Sequence, residues 1–263
     1  MNKLKEILRV TEWGAPENVV ALVTTRAGGV SIPPYETFNL ACHVGDNIDA
    51  VQANRRRLRG FLPASLRIQW LEQVHGIDIV MPAITGLELD DPAELKGDAI
   101  YLNTPGVAGA VLTADCLPVF FADQAGSSVA VAHAGWRGLA DGILEKTVAS
   151  FKLPPEQIVT WLGPAIGPCH FEIGEEVRDL FLSQNHSHAE REEMSLSAFL
   201  PARASGKWMA DLYVLARLRL RNAGLTKISG GNHCTFCEQD SFYSYRRDGV
   251  TGRMASLIYL KNC

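Results

Sequence analysis

Two runs of small and β-branched residues, GVAGAVLT at 106–113 and SVAVAH at 128–133, constrain this 263-residue chain more than any other feature. Neither alternates apolar with polar, so as strands both of their faces must be covered, and that asks for a sheet held between other layers. FADQAGSS lies between them and carries the Asp, Gly and Ser of a tight hairpin turn. The runs are therefore expected as neighbouring strands, with Cys116 and His133 at or just beyond their ends.

Around them helices and strands alternate irregularly. Residues 19–25, 68–71 and 158–162 read as strands, and 48–61 as a helix. GWRGLADGILEKTVASF turns helical with Leu139, Ile143, Leu144, Val148 and Phe151 on one side, until Pro154-Pro155 stops it. Residues 174–182 and 209–222 are further helices, and 185–203 is polar enough to read as a mobile surface excursion. FYSYRRDGVTGRMASLIYL is expected to form two strands joined by an Asp-Gly turn. Without a strict βαβ rhythm this predicts α+β layering, not a doubly wound sheet. No repeat, linker or low-complexity stretch divides the chain, so one domain over 1–263 is expected.

The net charge of −4 offers no footprint for nucleic acid, and Arg55-Arg56-Arg57 with Arg59 read as a solvated helix face. MNKLKEILRV is too charged for a signal peptide, and no apolar run approaches 18 residues; a cytoplasmic protein away from membranes is expected. Its six cysteines are then thiols. The one CxxC, Cys234 to Cys237, has no second pair to close a structural zinc site and lacks the context of a thioredoxin motif. Cys169-His170, His186, His188 and His233 read as ordinary loop or surface residues.

His75 (LEQVHG), Cys116 (TADCLPV) and His133 (VAHAGWRG) each stand beside an apolar, strand-like run. Thiolate and imidazole suit Zn²⁺, and three ligands leave a fourth position open for chemistry. The spacings, 41 and 17 positions, match no zinc finger, so the fold has to bring the three together. Arg26 in TTRAGG is the candidate phosphate grip, a guanidinium beside two glycines. There is no P-loop or dinucleotide fingerprint. Asn39 and His43 in FNLACHVGD are candidate pocket residues. Asp115, if strand geometry runs through it, points away from Cys116 and would orient a histidine or move a proton. Arg137 is expected to pair with a carboxylate, and Trp136 to supply an apolar wall.

TTRAGGVSIPPYETFNL, HVGDN, LEQVHG, TADCLPV, HAGWRGL, LGPAIGP and FYSYRRDGVTGRMASLI together closely resemble the laccase-domain, YfiH-like proteins, from Thr24 to Ile258. Members are described as purine nucleoside phosphorylases, polyphenol oxidases or peptidoglycan editing factors. The resemblance implies a single-domain α/β/β/α fold and a metal held by His75, Cys116 and His133. It also implies zinc-dependent phosphorolysis of purine nucleosides (adenosine, inosine, methylthioadenosine) with inorganic phosphate, and deamination of adenosine. Zinc lowers the pKa of bound water to about 7, which suits the deamination. Copper can occupy the same ligands, since it outranks zinc in affinity. Hydrolytic editing of a cell-wall precursor would use Cys116 as nucleophile with a neighbouring histidine as base.

Overall fold

The computed structural model describes residues 7–10, 12–82, 94–183 and 188–261. A five-stranded sheet runs in the order Ile7–Arg9, Val19–Thr24, Met254–Leu260, Val107–Thr113, Arg67–Gln69. A six-stranded sheet runs Lys227–Gly230, Ile158–Leu162, Leu117–Asp123, Val129–Ala134, Ala99–Leu102, Ile79–Val80. Their inner faces meet through Ala21, Val23, Val111 and Ile258 on one side and Ile100, Phe120, Val131 and Val159 on the other. The outer face of the first sheet is covered by Ile48–Arg59 and the loop carrying Phe38 and Leu40. The outer face of the second is covered by Trp136–Asp141, Ile143–Ser150 and Leu212–Asn222. The result is the expected α/β/β/α layering. Both faces of the central strands are buried although most pairings are antiparallel, because each sheet lies between its twin and a helix layer.

Several local expectations change. The two apolar runs are not sheet neighbours: Val107–Thr113 and Val129–Ala134 face each other from different sheets. The hairpin partner of Val129–Ala134 is Leu117–Asp123, whose register sets Ala134 opposite Leu117 and so brings His133 beside Cys116. The long helix after His133 is broken at Gly142, which takes a left-handed φ of 99° between two shorter helices. Asp248-Gly249 does not make a hairpin; Gly249 caps a one-turn helix at Tyr245–Asp248, leaving Met254–Leu260 as the only strand of that segment. The polar excursion is ordered where it is described. His188–Ser197 is a helix that buries Met194, and Phe199–Pro201 pairs with Lys207–Ala210. His186 lies outside the described residues.

The arginine cluster is more than a wet face. Arg55 lies over Trp70 at 4.3 Å and donates to the Leu40 carbonyl. Arg59 donates to the carbonyls of Leu66 and Ala64, so both pin neighbouring chain. Among the described residues no helix is long and apolar enough to cross a membrane.

Candidate metal centre and substrate cleft

His75, Cys116 and His133 converge, with one ligand atom from each within 4.8 Å of the others. The Cys116 Sγ to His75 Nε2 distance is 3.9 Å, close to the edge of about 3.3–3.8 Å that zinc bonds of 2.0–2.3 Å impose on a tetrahedron. The two imidazoles meet edge to face, with centroids 4.7 Å apart. The donor set therefore fits a borderline-soft cation.

What assembles the set is Asp98, fully buried just before the strand Ala99–Leu102. Its Oδ1 receives the His133 Nδ1 contact at 2.8 Å and the His75 N–H at 3.0 Å. Its Oδ2 accepts from the N–H groups of Gly76 at 2.7 Å and Val74 at 3.2 Å. One carboxylate thus closes the QVHG turn, where His75 takes a left-handed φ of 60°, and fixes the ring of His133. With Nδ1 engaged, Nε2 of His133 is left to face Cys116. Burial alone would raise the Asp98 pKa, but the His133 hydrogen bond and the Gly76 and Val74 N–H groups lower it.

Asp115, the residue expected to do this work, does not. Strand geometry fails at Asp115, whose φ is 92°, and its carboxylate accepts from the Thr235 hydroxyl at 2.6 Å and the Arg246 N–H at 2.7 Å. Asp98 carried too weak a signal to be singled out, since an acid ahead of an apolar run resembles any strand entry.

The HAGWRG motif supplies room. A Cβ at Gly135 would lie 2.8 Å from His75 Cδ2 and 3.2 Å from Cys116 Sγ, and one at Gly138 would meet the Gly76 carbonyl at 2.7 Å. Gly135 has φ −63°, open to any residue, so space alone requires the glycine. Gly135→Ala is therefore expected to keep the fold but spread the trio, at about 1–3 kcal/mol of overpacking. That corresponds to zinc affinity lower by roughly 10- to 100-fold, checked by competition titration beside a thermal melt.

Without metal, Cys116 and His133 form a charged pair. Burial would raise the Cys116 thiol, but the His133 charge and hydrogen bonds from both imidazoles bring it down to about 6. Burial would lower the His133 imidazole, but the Cys116 thiolate and Asp98 bring it up to about 9. Between about pH 7 and 9 the pair is thiolate and imidazolium, so a cation that takes His133 displaces one proton. Zinc affinity is expected to rise about tenfold per pH unit across that window. A flat profile in competition titrations would contradict this pairing.

Two cavities flank the trio and share His75, Ala114, Cys116 and Tyr245. One, of about 470 Å³, adds His43, Gln73, His133 and Arg253. The other, of about 300 Å³, is lined also by Trp136, Ile166, Phe171 and Leu212. His43 is thus in the cleft, its imidazole pushed down by burial and by Arg253. Asn39 is fully buried and does not line the cleft; its Oδ1 accepts the Arg253 N–H at 2.9 Å and so positions the residue that does. Trp136 is a wall of the apolar cavity as expected, while Arg137 lies over its ring at 4.3 Å, and no carboxylate pairs with it among the described residues.

Arg26 is elsewhere. It lines a separate cavity of about 830 Å³ with Glu36 and Gln239, donating to both of their carbonyls. Its fork is spent on those two carbonyls and on the Glu36 carboxylate, 3.9 Å from Nη2. Arg253, within GVTGRMASL, is the cationic side chain of the cavity that holds His43 and His133, while Arg137 and Arg246 line the other. Its Nη1 donates to Thr251 and Gly252, while Nε and Nη2 carry no partner among the described residues.

A second group also forms. His170, read in the sequence as an ordinary loop residue, lies with the two cysteines of the CxxC, Cys234 and Cys237, their ligand atoms within 4.8 Å of one another. His233 pairs with Glu238 at 2.9 Å.

The chain is 50% identical over 255 residues to Purine nucleoside phosphorylase YfiH of Escherichia coli (strain K12), covering 96% of this chain and 98% of the relative. Among solved structures, NMB0706 of Neisseria meningitidis superposes with a TM-score of 0.88 at 45% identity, covering 98% of this chain and all of that one. YlmD of Geobacillus stearothermophilus gives 0.86 at 34% identity, covering 100% of this chain and 98% of that one. A family model matches residues 20–261, and the chain belongs to that family, the Multi-copper polyphenol oxidoreductase laccases.

Proposed function

We propose that the protein is a zinc-dependent purine nucleoside phosphorylase of the cytoplasm, built as one domain. It takes adenosine, inosine and methylthioadenosine with inorganic phosphate to the free base and the sugar 1-phosphate, and it also deaminates adenosine. The observation that carries the reading is the trio's position between a cavity holding His43 and Arg253 and one walled by Trp136 and Phe171. A nucleoside and an anion need two such chambers on one reacting centre. Relatives at 40–50% identity bearing the name purine nucleoside phosphorylase support it.

In phosphorolysis an oxygen of phosphate forms the bond to C1′ while the bond from C1′ to the purine nitrogen breaks. The electron pair leaves with the base, which gains a proton. Arg253 is the phosphate grip, because its free Nε and Nη2 form the fork that matches two phosphate oxygens. His43, its basicity lowered by burial and by Arg253, sits beside it as an uncharged hydrogen-bonding partner. Trp136, Phe171, Ile166 and Leu212 offer the purine an apolar wall in a cavity that Arg137 and Arg246 also line. His75, Cys116 and His133 would hold the zinc ion, which supplies Lewis acidity toward a substrate oxygen or an attacking water.

Arg253→Ala tests the assignment. Charged hydrogen bonds of about 1.5–3 kcal/mol are removed, so the KM for phosphate should rise about 10- to 100-fold. Arg253→Lys should recover part of the loss, and deamination, which consumes no phosphate, should be largely kept. Equal loss of both activities would remove Arg253 from the phosphate role.

A second reading draws on the thiolate–imidazolium state of the metal-free pair, which is the form of an activated cysteine nucleophile. It would fit hydrolytic editing of a cell-wall precursor.

A further inference from the structure

The CxxC segment and the Cys169-His170 loop lie 64 positions apart in the chain, yet they form one site. Cys237 Sγ stands 3.5 Å from His170 Nδ1, within the edge length of about 3.3–3.8 Å for ligands on one zinc ion. The Cys234 sulfur accepts the N–H of Gly167 at 3.3 Å and that of Cys237 at 3.5 Å. Two backbone donors thus fix the position of this sulfur. The imidazole of His170 is held by stacking on Phe236, with centroids 3.9 Å apart and planes 14° apart. The backbone is fixed as well: Thr235 N–H donates to the Ala165 carbonyl at 3.0 Å, and Ala165 bridges Cys234 in parallel register. Gly167 is small for a reason, since a Cβ there would lie 3.0 Å from the Cys234 sulfur.

We propose that His170, Cys234 and Cys237 form a second, thiolate-rich zinc site, distinct from the His75, Cys116, His133 set. Two sulfurs and one nitrogen select a borderline-soft cation over magnesium or calcium. The ion clamps the loop through Gly163 to His170 onto the segment through Cys234 to Cys237. Its reach extends to the cleft. Thr235, inside the CxxC, donates to Asp115, the neighbour of Cys116, and Arg246 donates from Nη1 to the His170 carbonyl. The clamp therefore holds the backbone from which Cys116 and Tyr245 enter the site.

The test is metal stoichiometry in protein purified with reductant, stripped with chelator and reloaded with Zn²⁺ or Co²⁺. Wild type should bind two equivalents. Cys116→Ala should bind one and keep thiolate-to-cobalt charge-transfer absorption, because two cysteine ligands remain. Cys234→Ser/Cys237→Ser should bind one, and His170→Ala, milder for the fold, should lose the same equivalent without touching the one that depends on Cys116. The proposal is overturned if wild type binds a single equivalent that Cys116→Ala abolishes. It is equally overturned if both the double variant and His170→Ala retain two. Failure of the Cys116 site alone would show differently, as a single equivalent that survives Cys116→Ala and is lost in Cys234→Ser/Cys237→Ser and in His170→Ala.

Discussion

Cys116→Ala is expected to lose the metal of the central trio and all nucleoside turnover together. Only His75 and His133 would remain, and deleting a ligand costs more than the 10- to 100-fold in affinity that follows loss of a supporting group. Cys116→Asp is the sharper probe, because carboxylate also binds zinc at about 2.0–2.2 Å but cannot stand in for a thiolate in covalent chemistry. Partial phosphorolysis in a zinc-loaded Asp variant, read as base released per unit time against zinc content, supports the metal role. A variant that loads fully and turns over nothing would move the assignment to the cysteine-nucleophile reading.

Asp98→Asn should come next in size although Asp98 touches no substrate. The four groups that meet its two oxygens all come from the QVHG turn and His133. An amide offers one oxygen and one NH₂, so on one side a donor faces a donor. Each buried donor left unpaired costs about 1–3 kcal/mol, enough for a Tm lower by on the order of 5 °C. Zinc affinity should fall about 10- to 100-fold as both imidazoles lose their orientation. Asp115→Asn is the control, since its partners are Thr235 and Arg246. Equal loss of metal in the two variants would undo the distinction between them.

Cys116 and His133 adjoin strands whose burial could be read from their residues, as could the layering, whereas His75 stands beside a half-exposed stretch and is legible as a ligand through the resemblance carried by LEQVHG. Leu117–Asp123 escaped notice because Pro118 and the acid at Asp123 interrupt its apolar pattern. Asp123 in fact accepts from Ser127 and Ser128 at the turn, so the polar letters that suggested loop belong partly to a strand. Asp-Gly suggested a hairpin, yet the same left-handed Gly249 ends a helix equally well, and only the tertiary setting decides. Arg26 looked like an anion grip from its glycines, whereas what matters is the direction of its fork, fixed by contact with Gln239 more than two hundred positions away. Asp98, Arg253 and the second metal-competent group share that obstacle: each acquires meaning only from partners remote in sequence.

The Asp98 hub joins residues 74–76 to 133, two stretches that share no secondary-structure element. An unfolded chain therefore contains no central ligand set for zinc to find. By mass action, free zinc at a hundred times the dissociation constant of the central site adds up to about 2.7 kcal/mol to the native state. Denaturation midpoints should climb with the logarithm of zinc activity, and a chelator should act on this protein as a mild denaturant.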